Sequence, residues 1–411
     1  MKISIKIQTF FEYLVAVLLV LNGQSMWSKL EITQGWFSWM TLVLLWVSVI
    51  GIMFCSNRFF ITKRTIVLIC LIAIYLFIYI CIRPINLNGI LQLVLSVIAL
   101  GVVTFETNDV AEILQCYLKI MLVIAAISLF FWIFGSMLSY IQPSGEVYSI
   151  WTGNGNRILV KNYYYLYFQQ QISNIRQIDA IRNMAFFCEA PMSSLHFSFA
   201  FLIELFCQKR PSKKRILLLV IATLSTISIT GYLVLICGLS AKYLLVHPKQ
   251  EILQTMKAIS VPIAIGISIC VALYMYELKA NTGSGLARLN DFVVGYQVWK
   301  KHLLFGVGYG NYDEVKRMMP FWRSSNVGFS NSVMLILDYG GLYFGTVYLW
   351  SIVKGVIKSI RLKNYCNLCF TLIFMGTFII TNIPFIYLTL FVVLSLIDGT
   401  MRFSVDFEKT E

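Results

Sequence analysis

Apolar runs of membrane-crossing character recur along the whole chain, at 10–21, 36–55, 65–82, 90–105, 120–138, 195–207, 258–276 and 332–353. Each fits, alone or with its flanks, a hydrocarbon core about 30 Å thick. No water-soluble core in a 411-residue chain accommodates so much apolar surface, with 58% hydrophobic and only 13% charged residues. An all-α integral membrane protein is therefore expected. The first run has no small-residue cleavage site after a short apolar core, so it reads as a retained helix. The cysteines fall almost entirely inside apolar runs, where a thiol acts as a small hydrophobe. Cys366 and Cys369 form a C-x-x-C beside Lys363, with no second pair or histidine cluster, and read as structural.

Two stretches, 216–245 and 368–396, are too long for one ordinary span and short for two. Charge resolves them. If each is a tight hairpin, broken at Ser228-Ile229-Thr230-Gly231 and at Thr381-Asn382-Ile383-Pro384, about twelve spans result, with both termini cytoplasmic. The basic cluster Lys209, Arg210, Lys213, Lys214, Arg215 then shares the cytoplasmic side with Lys242, Lys249 and Lys257, while the short outer turns hold only Lys29 and Arg83. The net charge of +14 thus reports topology rather than nucleic-acid binding. The expected organisation is TM1–TM5 over 1–138, a large outer loop over 139–194, TM6–TM9 over 195–276, a second large outer loop over 277–331, and TM10–TM12 with a cytoplasmic tail over 332–411.

Both long loops exceed what a connection needs, which makes them the expected seat of function. Together they hold eleven Lys and Arg residues, an exception to the positive-inside pattern. Basic groups on the outer face of a membrane enzyme are natural partners for a phosphate headgroup. In the first loop, Arg182-Asn183-Met184-Ala185-Phe186-Phe187-Cys188-Glu189-Ala190-Pro191 runs into the sixth span, with Pro191 suited to a first helical turn. On a continuous helix Arg182 and Glu189, seven apart, would share a face. The arginine offers a planar fork for phosphate, and the carboxylate is a candidate base.

In the second loop, Leu289, Phe292, Val293, Tyr296, Trp299 and Leu303 recur at helical spacing over 287–305, predicting an amphipathic helix on the outer leaflet that Arg288 opens. Gly306-Val307-Gly308-Tyr309-Gly310-Asn311 follows, where glycines permit a tight turn that exposes amide donors. It is not a potassium filter, since Gly306 stands at the leading threonine position and no pore helix precedes it. Nor is it a dinucleotide fingerprint, for the spacing and the preceding strand are missing. Asn331 enters the tenth span, and Asp338, about two turns in, is an intramembrane carboxylate and so a functional candidate.

Taken in order, four elements resemble the Wzy-type polysaccharide polymerases of the O-antigen polymerase and ligase superfamily. They are the Phe-Phe-x-Glu-x-Pro stretch ending at Pro191, the Ser228, Thr230, Gly231 break, the Arg288 helix leading to the glycine turn, and the Asn331 entry followed by Gly340-Gly341. The resemblance covers roughly 182–341. It implies joining of polyprenyl-pyrophosphate-linked oligosaccharide repeat units at the outer face of the bacterial cytoplasmic membrane, with no cofactor and no essential metal. It further implies that Arg182 and Arg288 contact pyrophosphate, with Gly306, Gly308, Gly310, Asn311 and Asn331 in the substrate site. Ser228, Thr230 and Asp338 are additional candidates. Expected partners are the lipid-linked oligosaccharides, the bilayer, a chain-length regulator and a flippase.

Arg288 and Glu189 are the expected catalytic residues, Glu189 by elimination among acids near a phosphate-binding arginine. The related ligases carry histidine before the asparagine of the later helix, where this chain has Ser330. A ligase and a transporter of lipid-linked units are the alternatives, the latter disfavoured by the scarcity of intramembrane charge.

Overall fold

The computed structural model describes residues 7–56, 61–83, 86–106, 110–151, 157–175, 178–245, 283–324, 327–379 and 383–398. The expected run at 258–276 lies outside these. In chain order the helices are α1 (Ile7–Leu21), α2 (Phe37–Cys55), α3 (Lys63–Ile82), α4 (Leu87–Glu106), α5 (Val110–Phe130), α6 (Ala190–Phe206), α7 (Lys213–Ser225), α8 (Ile229–Leu245), α9 (Gly283–Lys301), α10 (Tyr312–Arg317), α11 (Ser332–Arg361), α12 (Tyr365–Thr377) and α13 (Tyr387–Asp398). Among the described residues five stretches are long and apolar enough to cross a membrane: α2, α3, α4, α11 and Val110–Met137, in which α5 continues through a π-helical turn. Shorter apolar helices are α1, α6, α8, α12 and most of α13. The chain is thus a mostly helical membrane protein.

Polar side chains fix the helix starts. Thr62 accepts the Thr65 amide at α3, Asn331 that of Met334 at α11, and Asn364 that of Asn367 at α12. The central element is α6, buried along nearly its whole length and packed against α5, α7, α8 and α12. The first expected hairpin break forms, and part of the second, expected at 381–384, lies outside the described residues. Residues 226–228 separate α7 from α8, with Ile227 at φ 50°, and the second pair breaks between Thr377 and Tyr387.

The all-α expectation needs correction at 145–181. There β1 (Gly145–Ser149), β2 (Ile158–Tyr163) and β3 (Tyr167–Gln169) form an antiparallel sheet, and β4 (Ile172–Ile175) pairs antiparallel with β5 (Ile178–Ile181). Register sets Val147 opposite Val160 and Tyr163 opposite Tyr167. Alternation places Val160 inward and Leu159 and Lys161 outward. Strands this short give a faint period-two signal beside long apolar helices, which is why helical patterning overshadowed it. The sheet seats on the end of α5: Trp132 Nε1 donates to the Ile181 carbonyl at 2.9 Å, and the Tyr163 ring lies against Gly135.

A second irregularity is the break in α11 at Gly341 (φ 59°, ψ −154°). The segment leading into the glycine turn fills it. Val307 and Gly308 donate their amides to the Asp338 and Tyr339 carbonyls at 2.7 and 3.2 Å. In return Leu342 and Tyr343 donate to the Leu303 and Leu304 carbonyls, both at 2.9 Å. Contact is so close that a Cβ on Gly306 would lie 2.4 Å from the Asp338 carbonyl oxygen.

Candidate functional site

Arg182 follows β5 directly, so no continuous helix joins Arg182 to Glu189. Residues 183–189 run irregularly between the end of α1 and the α7–α8 turn, and α6 begins only at Ala190, with Glu189 as its N-cap and Pro191 in its first turn. Backbone bonds hold this segment from both sides: Met26 N to the Phe186 carbonyl (2.7 Å), Cys188 N to the Gln24 carbonyl (3.0 Å) and Asn183 N to the Ser225 carbonyl (3.0 Å). The Asn183 side chain donates to Ser225 Oγ (2.9 Å) and Ser128 Oγ (3.2 Å).

This frame aims Arg182. Its Nε donates to the Thr226 carbonyl at 2.9 Å, and its Nη1 reaches Gln171 Oε1 at 3.5 Å. Gln171 Oε1 also accepts the Ala190 amide at 3.0 Å, tying the arginine to the start of α6. The Arg182 guanidinium lies within the electrostatic reach of Glu189, Arg288 and, on α8, Tyr232. Arg182, Glu189 and Arg288, which come from three separate parts of the chain, thus lie within one electrostatic cluster. All three are half-buried.

The charges in this cluster are not neutralised by direct pairing. Among the described residues no ion pair within 4.0 Å joins either arginine to Glu189, and Arg288 makes no side-chain hydrogen bond. Burial pushes the Glu189 carboxyl above its ordinary range, while Arg182 and Arg288 pull it back down. Burial likewise works against both guanidinium charges, offset by Glu189 and, for Arg288, by Asp291. Two cations and one carboxylate, partly dehydrated and not bonded to one another, form a cluster with a surplus positive charge that favours an anion.

Arg288 is aimed by α9, which forms as expected over 287–301 but stops at Lys301. Its apolar stripe Leu289, Phe292, Val293 and Tyr296 is exposed, while Val294, Val298 and Asp291 are buried toward α11. Asp291 anchors the helix: Arg323 Nη1 donates to its Oδ1 at 2.7 Å, and Ser330 donates both its amide and its hydroxyl to Oδ2 at 2.8 Å. Arg323, fully buried, also donates to the Ala287 carbonyl and to Asn290 Oδ1, at 3.0 and 3.1 Å.

The glycine turn does something other than present a row of free amides. The Val307 and Gly308 amides are engaged by α11, Gly306 donates to the His302 carbonyl, and Asn311 Nδ2 donates to the Val307 carbonyl at 3.2 Å. Gly306, Gly308 and Gly310 all have positive φ, so their residue type serves the turn and its docking. Asn331 caps α11 next to the Ser330–Asp291 contact. Ser228 and Thr230 are buried at the α7–α8 turn, and Gly231 lies against Ser194 of α6. Asp338 is fully buried in the upper part of α11, with neither carboxylate oxygen hydrogen-bonded to a described residue.

Sequence reasoning found the Arg182, Glu189 and Arg288 cluster and missed its supports, Gln171, Thr226, Tyr232, Asp291 and Arg323. Arg323 carries no local signal, since its partner lies 32 positions earlier. No protein-family model matches the chain, and no curated protein matches it in sequence.

Proposed function

We propose that the protein is a Wzy-type polymerase that joins polyprenyl-pyrophosphate-linked oligosaccharide repeat units at the outer face of a bacterial cytoplasmic membrane. The observation that carries this reading is the convergence of Arg182, Glu189 and Arg288, two guanidinium groups around one carboxylate, beside an exposed apolar face of α9 suited to a membrane surface. The topology that goes with it is about twelve spans with both termini cytoplasmic, 139–194 and 277–331 being outer loops.

In this reaction the acceptor hydroxyl oxygen bonds to the anomeric carbon of the donor glycan as the bond from that carbon to the pyrophosphate breaks. Glu189 takes the hydroxyl proton, and the polyprenyl pyrophosphate leaves with the bonding electron pair. Negative charge grows on the leaving group, where Arg182 and Arg288 stabilise it. Fixed cations in a partly dehydrated site do this better than water because they need no reorientation. The raised proton affinity of Glu189 suits a base working near neutral pH.

The test is Arg288→Ala in the native host, with surface polysaccharide run on a gel and lipid-linked intermediates extracted alongside. The polymer ladder should vanish, single repeat units should accumulate on the outer leaflet, and the protein should remain in the membrane. Normal polymer lengths would sink the assignment, and units trapped on the inner leaflet would identify a flippase instead.

A further inference from the structure

On the polymerase reading, two lipid carriers must be held at once, and the Arg182, Glu189 and Arg288 cluster provides for the leaving group of only one. A second basic pair lies elsewhere. Arg83 caps the C-terminal end of α3, and its Nη2 is 3.5 Å from Nδ1 of His302, the residue that follows α9. Among the described residues no carboxylate lies within ion-pair distance of Arg83, and its Nε is buried without a hydrogen-bond partner. Beside the pair, Gly310 faces Asn86 at 3.7 Å from a would-be Cβ, and the amides of Tyr309 and Gly310 have no backbone partner among the described residues.

Arg83 also tops one wall of an apolar groove. A cleft of about 660 Å³ runs between α3, α4, α11 and α13, lined by residues such as Leu71, Ile72, Tyr75, Val97, Trp350 and Leu394. A run of packed rings links its lining residue Tyr75 to the segment that carries His302. Tyr75 lies 3.9 Å from Tyr343, and Phe305, three residues after His302, packs on Tyr343 at 5.1 Å. Tyr79, one turn below Arg83, sits within the field of both Arg83 and Tyr309.

A cationic mouth over an apolar trough matches an amphiphile with an anionic head and a long hydrocarbon tail, and not a free phosphate ion. We infer that Arg83 and His302 hold the pyrophosphate of the acceptor's carrier, with its isoprenoid chain in the groove between α3 and α11. The spacing fits this role. Arg288 and His302 are separated by nearly the full length of α9, about 21 Å at 1.5 Å per residue. The donor reacts at the carbon bonded to its own pyrophosphate. The acceptor reacts at the glycan end remote from its carrier, so its pyrophosphate belongs an oligosaccharide's length away from Arg288.

The experiment uses the full-length protein in nanodiscs, with undecaprenyl pyrophosphate as probe and bound lipids counted by native mass spectrometry. Wild type should bind two, and Arg83→Ala one, its second site weakened about 10- to 100-fold by loss of charge-assisted bonds. Leu71→Trp, a filling change at an exposed groove position, should also bind one, without disturbing the packed interior. Two lipids retained by both variants would overturn the second site, and equal competition by phosphatidylglycerol would overturn its assignment to a carrier. Arg288→Ala separates the two ideas. Loss of one lipid there, with none lost on changing Arg83, leaves the polymerase reading intact and removes only this site; the reverse pattern keeps this site and removes the donor site.

Discussion

Arg323 and Asp291 form a sealed ion pair, 2.7 Å apart, with both side chains withdrawn from solvent. The same guanidinium gathers the Ala287 carbonyl and Asn290, so one side chain fastens residues 321–330 to the part of α9 that carries Arg288. Removing one member of such a pair leaves the other buried and unpaired, which costs about 3–5 kcal/mol. Arg323→Ala should therefore lower the unfolding midpoint in detergent and open 283–331 to limited proteolysis. Arg323→Lys should rescue little, because an ammonium cannot reproduce the planar fork that reaches the Ala287, Asn290 and Asp291 acceptors with one nitrogen and the Gly328 carbonyl with another. Wild-type protease resistance in Arg323→Ala would refute the clamp.

Gly306 and Gly310 of the turn and Gly341 of α11 should not respond alike. An alanine at Gly306 would drive its Cβ into the α11 backbone at 2.4 Å, and one at Gly341 into the Leu304 carbonyl carbon at 2.4 Å, so both should destabilise by more than about 2 kcal/mol. Gly310→Ala meets only Asn86 at 3.7 Å and bears the cost of φ +78° alone, about 1 kcal/mol. Thermal shifts of the purified variants give the order directly; equal losses at all three positions would contradict the docking geometry.

On the proposed reading, Glu189 would set a pH limit on activity. A general base works only when deprotonated, and burial raises the Glu189 carboxyl above its ordinary range, near about 4.3 for a free glutamate. Polymerisation by the reconstituted protein should fall with decreasing pH, at a midpoint above the free value. Glu189→Gln should cost about 10²- to 10⁴-fold in rate and lose this acid limb, leaving lipid binding in place. An unchanged acid limb in Glu189→Gln would remove the residue from the base role.

The turn joining β2 to β3 holds two tyrosines in the left-handed region, Tyr164 at φ 55° and Tyr165 at φ 57°. Both side chains are largely exposed, so little packing offsets the strain. Tyr164→Asn and Tyr165→Asn should each stabilise the protein by about 0.5–1 kcal/mol, since asparagine tolerates this conformation. A lowered melting temperature would mean that the rings contribute contacts outweighing the strain.

Much of this architecture is legible in the sequence because lipid leaves helices few alternatives. The apolar runs at 36–55, 65–82 and 90–105 correspond closely to α2, α3 and α4, and the charge argument anticipates the α7–α8 hairpin. Glycine and aromatic positions at helical spacing mark α9 and the turn after it. What escaped has a common physical origin in long-range partners. The seven-residue spacing of Arg182 and Glu189 says nothing of Gln171 and Thr226, remote in sequence, which aim the arginine. The strands at 145–181 depend on pairing across turns, and the amides at Val307 and Gly308 depend on a break far along the chain, at Gly341, that no local pattern near the turn announces.

The exchange between residues 303–308 and the severed α11 restricts what can move. Withdrawing this stretch would strand the Val307 and Gly308 donors and the Leu303 and Leu304 acceptors, together with four matching groups on the helix. In apolar surroundings each such group costs several kcal/mol, far beyond what thermal fluctuation supplies. The stretch is therefore a permanent plug and not a gate. On the proposed polymerase reading, a long glycan would enter by displacement of some other part of the molecule. Natural length variation should likewise collect after Gly310, where the chain has left the helix, and spare the residues wedged into it.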